Sequence, residues 1–329
     1  MSKRTIMRGR IKQTSPSLLL ERSSPTMRAS WEEVLSKFIL MKRGQGLRER
    51  TITDYRKVVS LFFKRFPEAF ESQENLSQSA YQHMAQHIKP NTYNIRLTCL
   101  KAFFDWCVAE GMLQKNPLTG FKRKPPQFRI VDIKPEELNK LAGAFDCGTY
   151  TGLRDCALFL LQVDTGIRPG EALQLRPEHF RADASAIIVP PEISKTKRER
   201  ILPLEALTSQ HIKALLAVRP GDWENDAPIF CGWSGESMSE AAWYRRLARY
   251  GKKVGLEIRP YDLRHFFAME FLRKGGNIYH LQEIMGHATL EMVKKYLYIT
   301  SRDIRDAMKS ASPLSSVLPQ RTNMRKLGK

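Results

Sequence analysis

The stretch Thr165-Gly166-Ile167-Arg168-Pro169-Gly170-Glu171-Ala172-Leu173-Gln174-Leu175 joins the end of one helix to the start of another. The apolar run from Asp155 to Val163 reads as a helix that Gly166 stops. Pro169 suits the first position of the next helix, where a missing N–H removes nothing. Arg168 then lies at a helix N-terminus, a setting that favours anions. Glu171, three residues on and on the same face, is the acid expected to orient that arginine.

Reading outward from this junction, Leu138 to Phe145 is a further helix, and Ala186 to Pro190 and Arg200 to Leu204 are two short apolar strands. The Lys/Thr/Arg-rich turn Ser194 to Glu199 between them makes a hairpin with a basic tip. Helices follow at about Ser239 to Val254, Tyr261 to Arg273, Ile278 to Met285 and Leu290 to Tyr298. Residues 131–300 therefore form a mainly α domain with a small β-sheet.

Upstream the pattern is helical throughout. Ser30 and Glu33 have capping-box spacing, and Trp31, Val34, Leu35, Phe38 and Ile39 follow on one stripe. Thr51 opens a second helix with Ile52, Tyr55, Val58, Val59, Phe62 and Phe66 on one face. A third runs from about Thr92 through Leu97, Leu100, Phe103, Phe104 and Cys107 to Gly111, and Asn116-Pro117 closes it. The helical spacing of these aromatics makes them core rather than a base-stacking platform, so residues 30–118 form a small all-helical domain. The stretch 119–130, with Lys122-Arg123-Lys124-Pro125-Pro126, suits an exposed basic linker whose charges are either solvated or follow a duplex.

The chain has 329 residues, enough for two cores, and a formal charge of +20. That charge points to a polyanionic partner, because each neutralised phosphate releases counterions. Residues 1–29 read as a flexible basic arm, with Arg8, Arg10 and Lys12 among cations set against Glu21 alone, and the 301–329 tail is basic at its end. No apolar run approaches the roughly 20 residues of a bilayer span, and the Leu18 to Leu20 cluster is too short for a secretory segment. A cytoplasmic, nucleoid-associated protein is the expectation. Five cysteines with no CxxC pair and no matching histidine spacing suggest reduced thiols and no structural zinc. Neither a two-metal carboxylate set nor a Gly-rich phosphate loop is present, so no metal and no cofactor is expected.

Displacement at a phosphodiester passes through a crowded, more negative phosphorane, which fixed cations on the non-bridging oxygens stabilise. Arg168 and Arg264 fit that task, since guanidinium is planar, permanently charged and matches two oxygens at once. Arg264 stands in Pro260-Tyr261-Asp262-Leu263-Arg264-His265-Phe266-Phe267-Ala268, among apolar neighbours that imply partial burial. Two further patches are the hairpin Ile193-Ser194-Lys195-Thr196-Lys197-Arg198-Glu199-Arg200 and Leu281-Gln282-Glu283-Ile284-Met285-Gly286-His287, with Tyr296 nine residues after His287.

In order and spacing these four patches resemble the tyrosine recombinase (phage integrase) family, strongly over about 130–300 and weakly over the helical region. The resemblance implies an N-terminal helical core-binding domain and a mixed α/β catalytic domain. It implies Tyr296 as nucleophile, His287 as a contact to the scissile phosphate, and Lys195 as the acid that protonates the leaving 5′ oxygen. Lys197 and Arg198 stand beside Lys195, and spacing alone does not choose among them or separate catalysis from DNA binding. Where the family's third box usually starts with histidine this chain has Tyr261, a hydrogen-bond donor but a poor base. The base is then His287, His265, or none if the arginines make the phenol easier to ionise.

The implied activity is site-specific recombination of double-stranded DNA through a 3′-phosphotyrosine and a Holliday junction. It would be carried out by a homo-tetramer, with accessory proteins setting direction or bending the DNA. The alternative is a DNA-binding architectural or regulatory protein of the same fold that transfers no strand. The tail after Ser301 either docks on a neighbouring protomer or frays.

Overall fold

The computed structural model describes residues 30–125, 133–221, 223, 226–294, 296, 308, 312 and 313. The basic arm and nearly all of the tail lie outside the described residues. The chain divides into two compact units, Met1–Arg129 and Ile130–Lys329.

In the first unit α1 (Trp31–Gly44) starts where Ser30 caps it, its hydroxyl accepting from the Glu33 N–H at 3.3 Å. Helices α2 (Glu49–Arg65), α3 (Gln73–Met84) and α4 (Pro90–Ala109) follow, with a 3-10 turn at Pro67–Phe70. The aromatic residues form the core: Phe38 meets Phe103 edge-on at 5.3 Å, and Phe62 meets Phe63 at 4.9 Å. Such edge-to-face pairs add to the area they bury.

Two helices start earlier than their apolar spacing predicts: α2 begins at Glu49 and α4 at Pro90, where Lys89-Pro90 provides the N1 proline. Apolar spacing does not mark α3, whose buried stripe is only Leu76, Ala80, His83 and Met84. The basic stretch also begins docked: Leu118 is fully buried, Lys124 exchanges two 2.8 Å hydrogen bonds with Asn94, and its Nζ lies 4.2 Å from the Tyr93 ring. The side chains of Lys122, Arg123 and Lys124 are exposed.

The second unit starts with α5 (Pro135–Ala142) and α6 (Tyr150–Thr165), then α7 (Pro169–Ala172). Strands β1 (Phe180–Arg181), β2 (Ala186–Val189) and β3 (Arg200–Pro203) form an antiparallel sheet in the order β1-β2-β3. Helices α8 (Ala206–Ala217), α9 (Glu240–Lys253), α10 (Pro260–Arg273), α11 (Ile278–Met285) and α12 (Glu291–Lys294) complete it. β1 and α8 were not anticipated. The apolar residues of α8 point several ways, Ile212 and Leu215 inward and Leu207 54% exposed, so no single stripe marks it.

One core gathers Leu158, Leu161, Ile167, Ile187, Leu202, Ile212, Trp243 and Leu263. Fully buried Asp155 fastens α6 to α9 by accepting from Arg154, from Arg246 at 2.5 Å and from the Tyr250 hydroxyl at 3.1 Å. A smaller core of Ala268, Leu281, Met285, Val293 and Tyr296 closes over α10 and α11. The helix expected from Leu290 to Tyr298 is described only over Glu291–Lys294. Tyr296 sits in a turn beyond it, donating its N–H to the Val293 carbonyl at 2.9 Å, and Tyr298 lies outside the described residues. Among the described residues no helix is long and apolar enough to cross a membrane.

Candidate active site

Helix α6 ends at Gly166, which takes the left-handed conformation (φ 61°) that a residue without Cβ adopts freely. A Cβ there would stand 2.3 Å from the Phe267 ring of α10, so the same glycine lets α10 approach. Two residues on, Arg168 is the N-cap residue of α7 and is buried. Its Nη1 donates to Glu171 Oε1 at 3.0 Å and its Nη2 to the Gly286 carbonyl at 2.9 Å. Arg264, one turn into α10, is buried too, and it donates to the Gly166 carbonyl and to the Met285 carbonyl at 2.8 Å.

Arg264 Nη2 also lies 2.9 Å from His287 Nε2. A guanidinium can only donate, so Nε2 accepts and the ring carries its proton on Nδ1. Burial above all, and then Arg168, push the Arg264 guanidinium down to about 9. At neutral pH it is a cation.

Glu171 binds these groups together. Its carboxylate accepts from Arg168, from the Lys195 backbone N–H at 3.0 Å and from Arg200, a close buried ion pair. Burial would raise its pKa, but Arg200, the Lys195 N–H and Arg168 together outweigh that and hold the carboxyl below its usual range.

In the sequence Arg200 is marked only as the first residue of a strand. The β2–β3 pairing sets it opposite Val189 and on the face of buried Leu202, while Ile201 and Pro203 turn outward. The letters Arg-Ile-Leu-Pro do not show this alternation, which only the strand register reveals. Its Nε donates to the Ile284 carbonyl at 3.0 Å. Its Nη1 is buried with no hydrogen-bond partner among the described residues, against Gly286, where a Cβ would stand 3.2 Å away.

Three arginines thus converge on consecutive carbonyls at the end of α11: Arg200 on Ile284, Arg264 on Met285 and Arg168 on Gly286. The last carbonyls of a helix have no partner within it and form the negative end of its dipole. This end therefore holds a cluster of cations that would otherwise repel one another.

Tyr296, 6% exposed, faces the cluster from the smaller core. Its ring lies parallel to that of His287 at 6.2 Å and tilted to that of His265 at 5.4 Å. Burial raises the phenol's pKa, and the opposing pull of Arg264 and Arg168 does not offset it. Of the three alternatives for the base, ionisation helped by the arginines alone is the one this burial works against.

Arg168, Glu171, Arg264, His287 and Tyr296 are thus brought together, with His265 partly exposed at the rim. Tyr261 is 48% exposed on the first turn of α10, close enough to Tyr296 that its charge would resist ionisation of that phenol. Lys195 is joined to the cluster through its main chain, and its side chain is exposed, as are those of Lys197 and Arg198 at the hairpin tip. Lys197 takes a left-handed backbone (φ 54°) in the tip. Lys122, Arg123 and Lys124 belong to the first unit.

Arg168, Arg200 and Arg264 are thus buried beside His287, which is hydrogen-bonded to Arg264, and beside the ring of Tyr296. The chain belongs to the phage integrase family, the tyrosine recombinases, whose model matches residues 132–302. It is 28% identical over 227 residues to the tyrosine recombinase XerC of Salmonella typhi, covering 68% of this chain and 74% of that protein. The XerC of Escherichia coli O157:H7 is 28% identical over 222 residues, 67% of this chain and 73% of its own.

Among solved structures, the Tn1549 transposon integrase in complex with a circular intermediate DNA has a TM-score of 0.67 at 18% identity, covering 88% of this chain and 100% of that one. XerH, a site-specific recombinase bound to palindromic difH substrate, has a TM-score of 0.63 at 22% identity, covering 85% and 84%. The mainly helical fold with a small three-stranded sheet is that of the tyrosine recombinases.

Proposed function

We propose that this recombinase cuts and rejoins double-stranded DNA at specific sites through Tyr296. The observation that carries the reading is the convergence of Arg168, Arg264, His287 and Tyr296 within one chain. The phenolic oxygen attacks the scissile phosphorus, a 3′-phosphotyrosine forms, and the bond to the 5′ oxygen breaks. Arg168 and Arg264 hold the non-bridging oxygens, where charge grows in the transition state.

Lys195, on an exposed hairpin, reaches the 5′ oxygen and gives it a proton as it leaves. His265, the nearer of the two rings to the phenol, takes the phenol's proton, since His287 Nε2 is committed to Arg264. Tyr261 donates a hydrogen bond to the phosphate. The phosphotyrosine keeps the energy of the broken bond, so rejoining needs no ATP. Strands are exchanged through a Holliday junction in a homo-tetramer, with accessory proteins setting direction, and the protein works on DNA in the cytoplasm at the nucleoid.

The test is covalent trapping on nicked, end-labelled DNA flanking the gene, quenched with detergent, with Tyr296→Phe alongside. A labelled adduct with the wild type and none with Tyr296→Phe is the expected result. Absence of any adduct, with binding retained in a gel shift, overturns the proposal in favour of a DNA-binding protein that transfers no strand. The exposed tyrosine at position 261 is the observation that favours that second reading.

A further inference from the structure

Cys147, Cys156 and His211 come together in the second unit, their ligand-capable atoms all within 4.8 Å of one another. Cys156 lies ten residues before Gly166, roughly 15 Å along the helix at 1.5 Å per residue, so this cluster is separate from the arginines. The sequence hides it, because the three residues have no compact spacing: two come from the start of α6 and the turn before it, the third from α8.

The local structure holds each member in place. The turn before α6 is closed by Asp146, whose carbonyl accepts from the Thr149 N–H at 3.2 Å and whose Oδ1 accepts from the Gly148 N–H at 3.1 Å. This turn presses on the first turn of α6 at Gly152, where a Cβ would come 1.8 Å from the Asp146 carbonyl oxygen. Glycine at that position therefore lets Cys147 sit over buried Cys156. His211 Nδ1 lies 2.8 Å from the Leu207 carbonyl. That oxygen can only accept, so Nδ1 carries the proton and Nε2 keeps its lone pair. A backbone carbonyl bonded to the far ring nitrogen is the usual support for a metal-binding histidine.

We propose that Cys147, Cys156 and His211 bind a thiophilic divalent cation, zinc by its chemistry, with water in the fourth position. Two thiolates and a neutral imidazole match zinc's preference for sulfur and nitrogen, whereas calcium and magnesium require oxygen ligands. A cysteine pair alone would serve a disulfide equally well. The oriented imidazole is what a metal needs and a disulfide does not. Zinc–ligand distances of about 2.0 to 2.3 Å place tetrahedral ligand atoms roughly 3.5 Å apart, so small side-chain movements close the site. Cys147 is exposed and His211 partly so, which gives the ion a way in, and both thiol protons pass to solvent as it binds. Bound there, the ion would tie the 146–149 turn, α6 and α8 together.

The experiment uses the full-length, reduced, metal-free protein titrated with cobalt(II), with Cys147→Ser and His211→Gln alongside. The wild type is expected to take up one equivalent, with thiolate-to-cobalt charge-transfer absorption and the strong visible bands of a tetrahedral site. Zinc should bleach both and raise the melting temperature. Cys147→Ser should lose the charge-transfer band, and His211→Gln should bind at least about tenfold more weakly. Both positions are solvent-accessible, so both variants should fold, which circular dichroism checks. Absence of the band in the reduced wild type, or an equal band in both variants, overturns the site. So does a thiol titration of freshly purified, denatured protein that finds two fewer than the five cysteines, which would make the pair a disulfide.

Discussion

Glu171 sets the electrostatics of the arginine cluster, because one buried carboxylate answers both Arg168 and Arg200. Removing Arg200 leaves Glu171 with only Arg168 and the Lys195 N–H as partners, so Arg200→Met should destabilise the protein by about 1–3 kcal/mol in urea unfolding. Arg200→Lys should recover little, since a single ammonium cannot reach Glu171 and the Ile284 carbonyl as the forked guanidinium does.

The lowered pKa of Glu171 also fixes a pH dependence. A carboxyl whose folded pKa lies below its unfolded value, about 4.3, contributes stability that is full above that value and is lost as pH falls through the folded pKa. The stability gap between wild type and Glu171→Gln should therefore be constant from pH 7 to about 5 and shrink below about 4. Arg168 and Arg264 stood out in the sequence by their chemistry and local setting, whereas His287 and Tyr296 were marked only by the family resemblance, since the apolar spacing around Tyr296 reads equally as core. Arg200 did not stand out, because only the strand register distinguishes it from Lys195, Lys197 and Arg198 beside it.

Among the elements, the end of α6 matters most to the site. Gly166 supplies a left-handed turn, room for Phe267 and the carbonyl that receives Arg264. In Gly166→Ala the left-handed conformation alone costs about 1–2 kcal/mol, and the overlap with Phe267 adds to it. DNA cleavage should fall further than that loss of stability explains, because the arginine's acceptor moves.

On α3, His83 is buried against Phe62 and Phe66 with neither ring nitrogen hydrogen-bonded among the described residues, and burial first, then Arg96 and Arg65, lower its pKa to about 4. A histidine depressed in this way contributes fully above its unfolded value, about 6.5, and loses that contribution as pH falls toward 4. Between neutrality and pH 5 the wild type should lose roughly 2 kcal/mol that His83→Phe keeps, measured by denaturant unfolding at both pH values. The strongly periodic helices were readable from apolar spacing alone. α3 and α8 were not, one because its stripe is short and holds a histidine, the other because apolar residues ring it.

For the whole molecule, a net charge of +20 predicts steeply salt-dependent DNA binding. If the protein neutralises six to ten phosphates, affinity should fall about 10³ to 10⁵-fold between 50 and 200 mM salt, and deleting residues 1–29 should flatten the slope by about 0.9 for each phosphate the arm had neutralised. A filter-binding series checks both. A two-part organisation was readable from the change in pattern across the proline-bearing stretch. The Cys147–Cys156–His211 cluster was not, because it exists only once α6 and α8 pack together.

The arginine cluster has a further consequence for which sequence changes the enzyme can absorb. Its acceptors at positions 284, 285 and 286 are main-chain oxygens, present whatever side chain stands there. Exchanging Ile284, partly buried beside the main core, for another aliphatic residue should leave the arginines in place. Inserting or deleting a single residue within α11 would swing all three oxygens about 100° around the helix axis at once. Position 284 should therefore drift among aliphatic residues, while Leu281 and Met285 stay apolar in the smaller core, Gly286 stays glycine beside Arg200 and the length of the segment stays fixed.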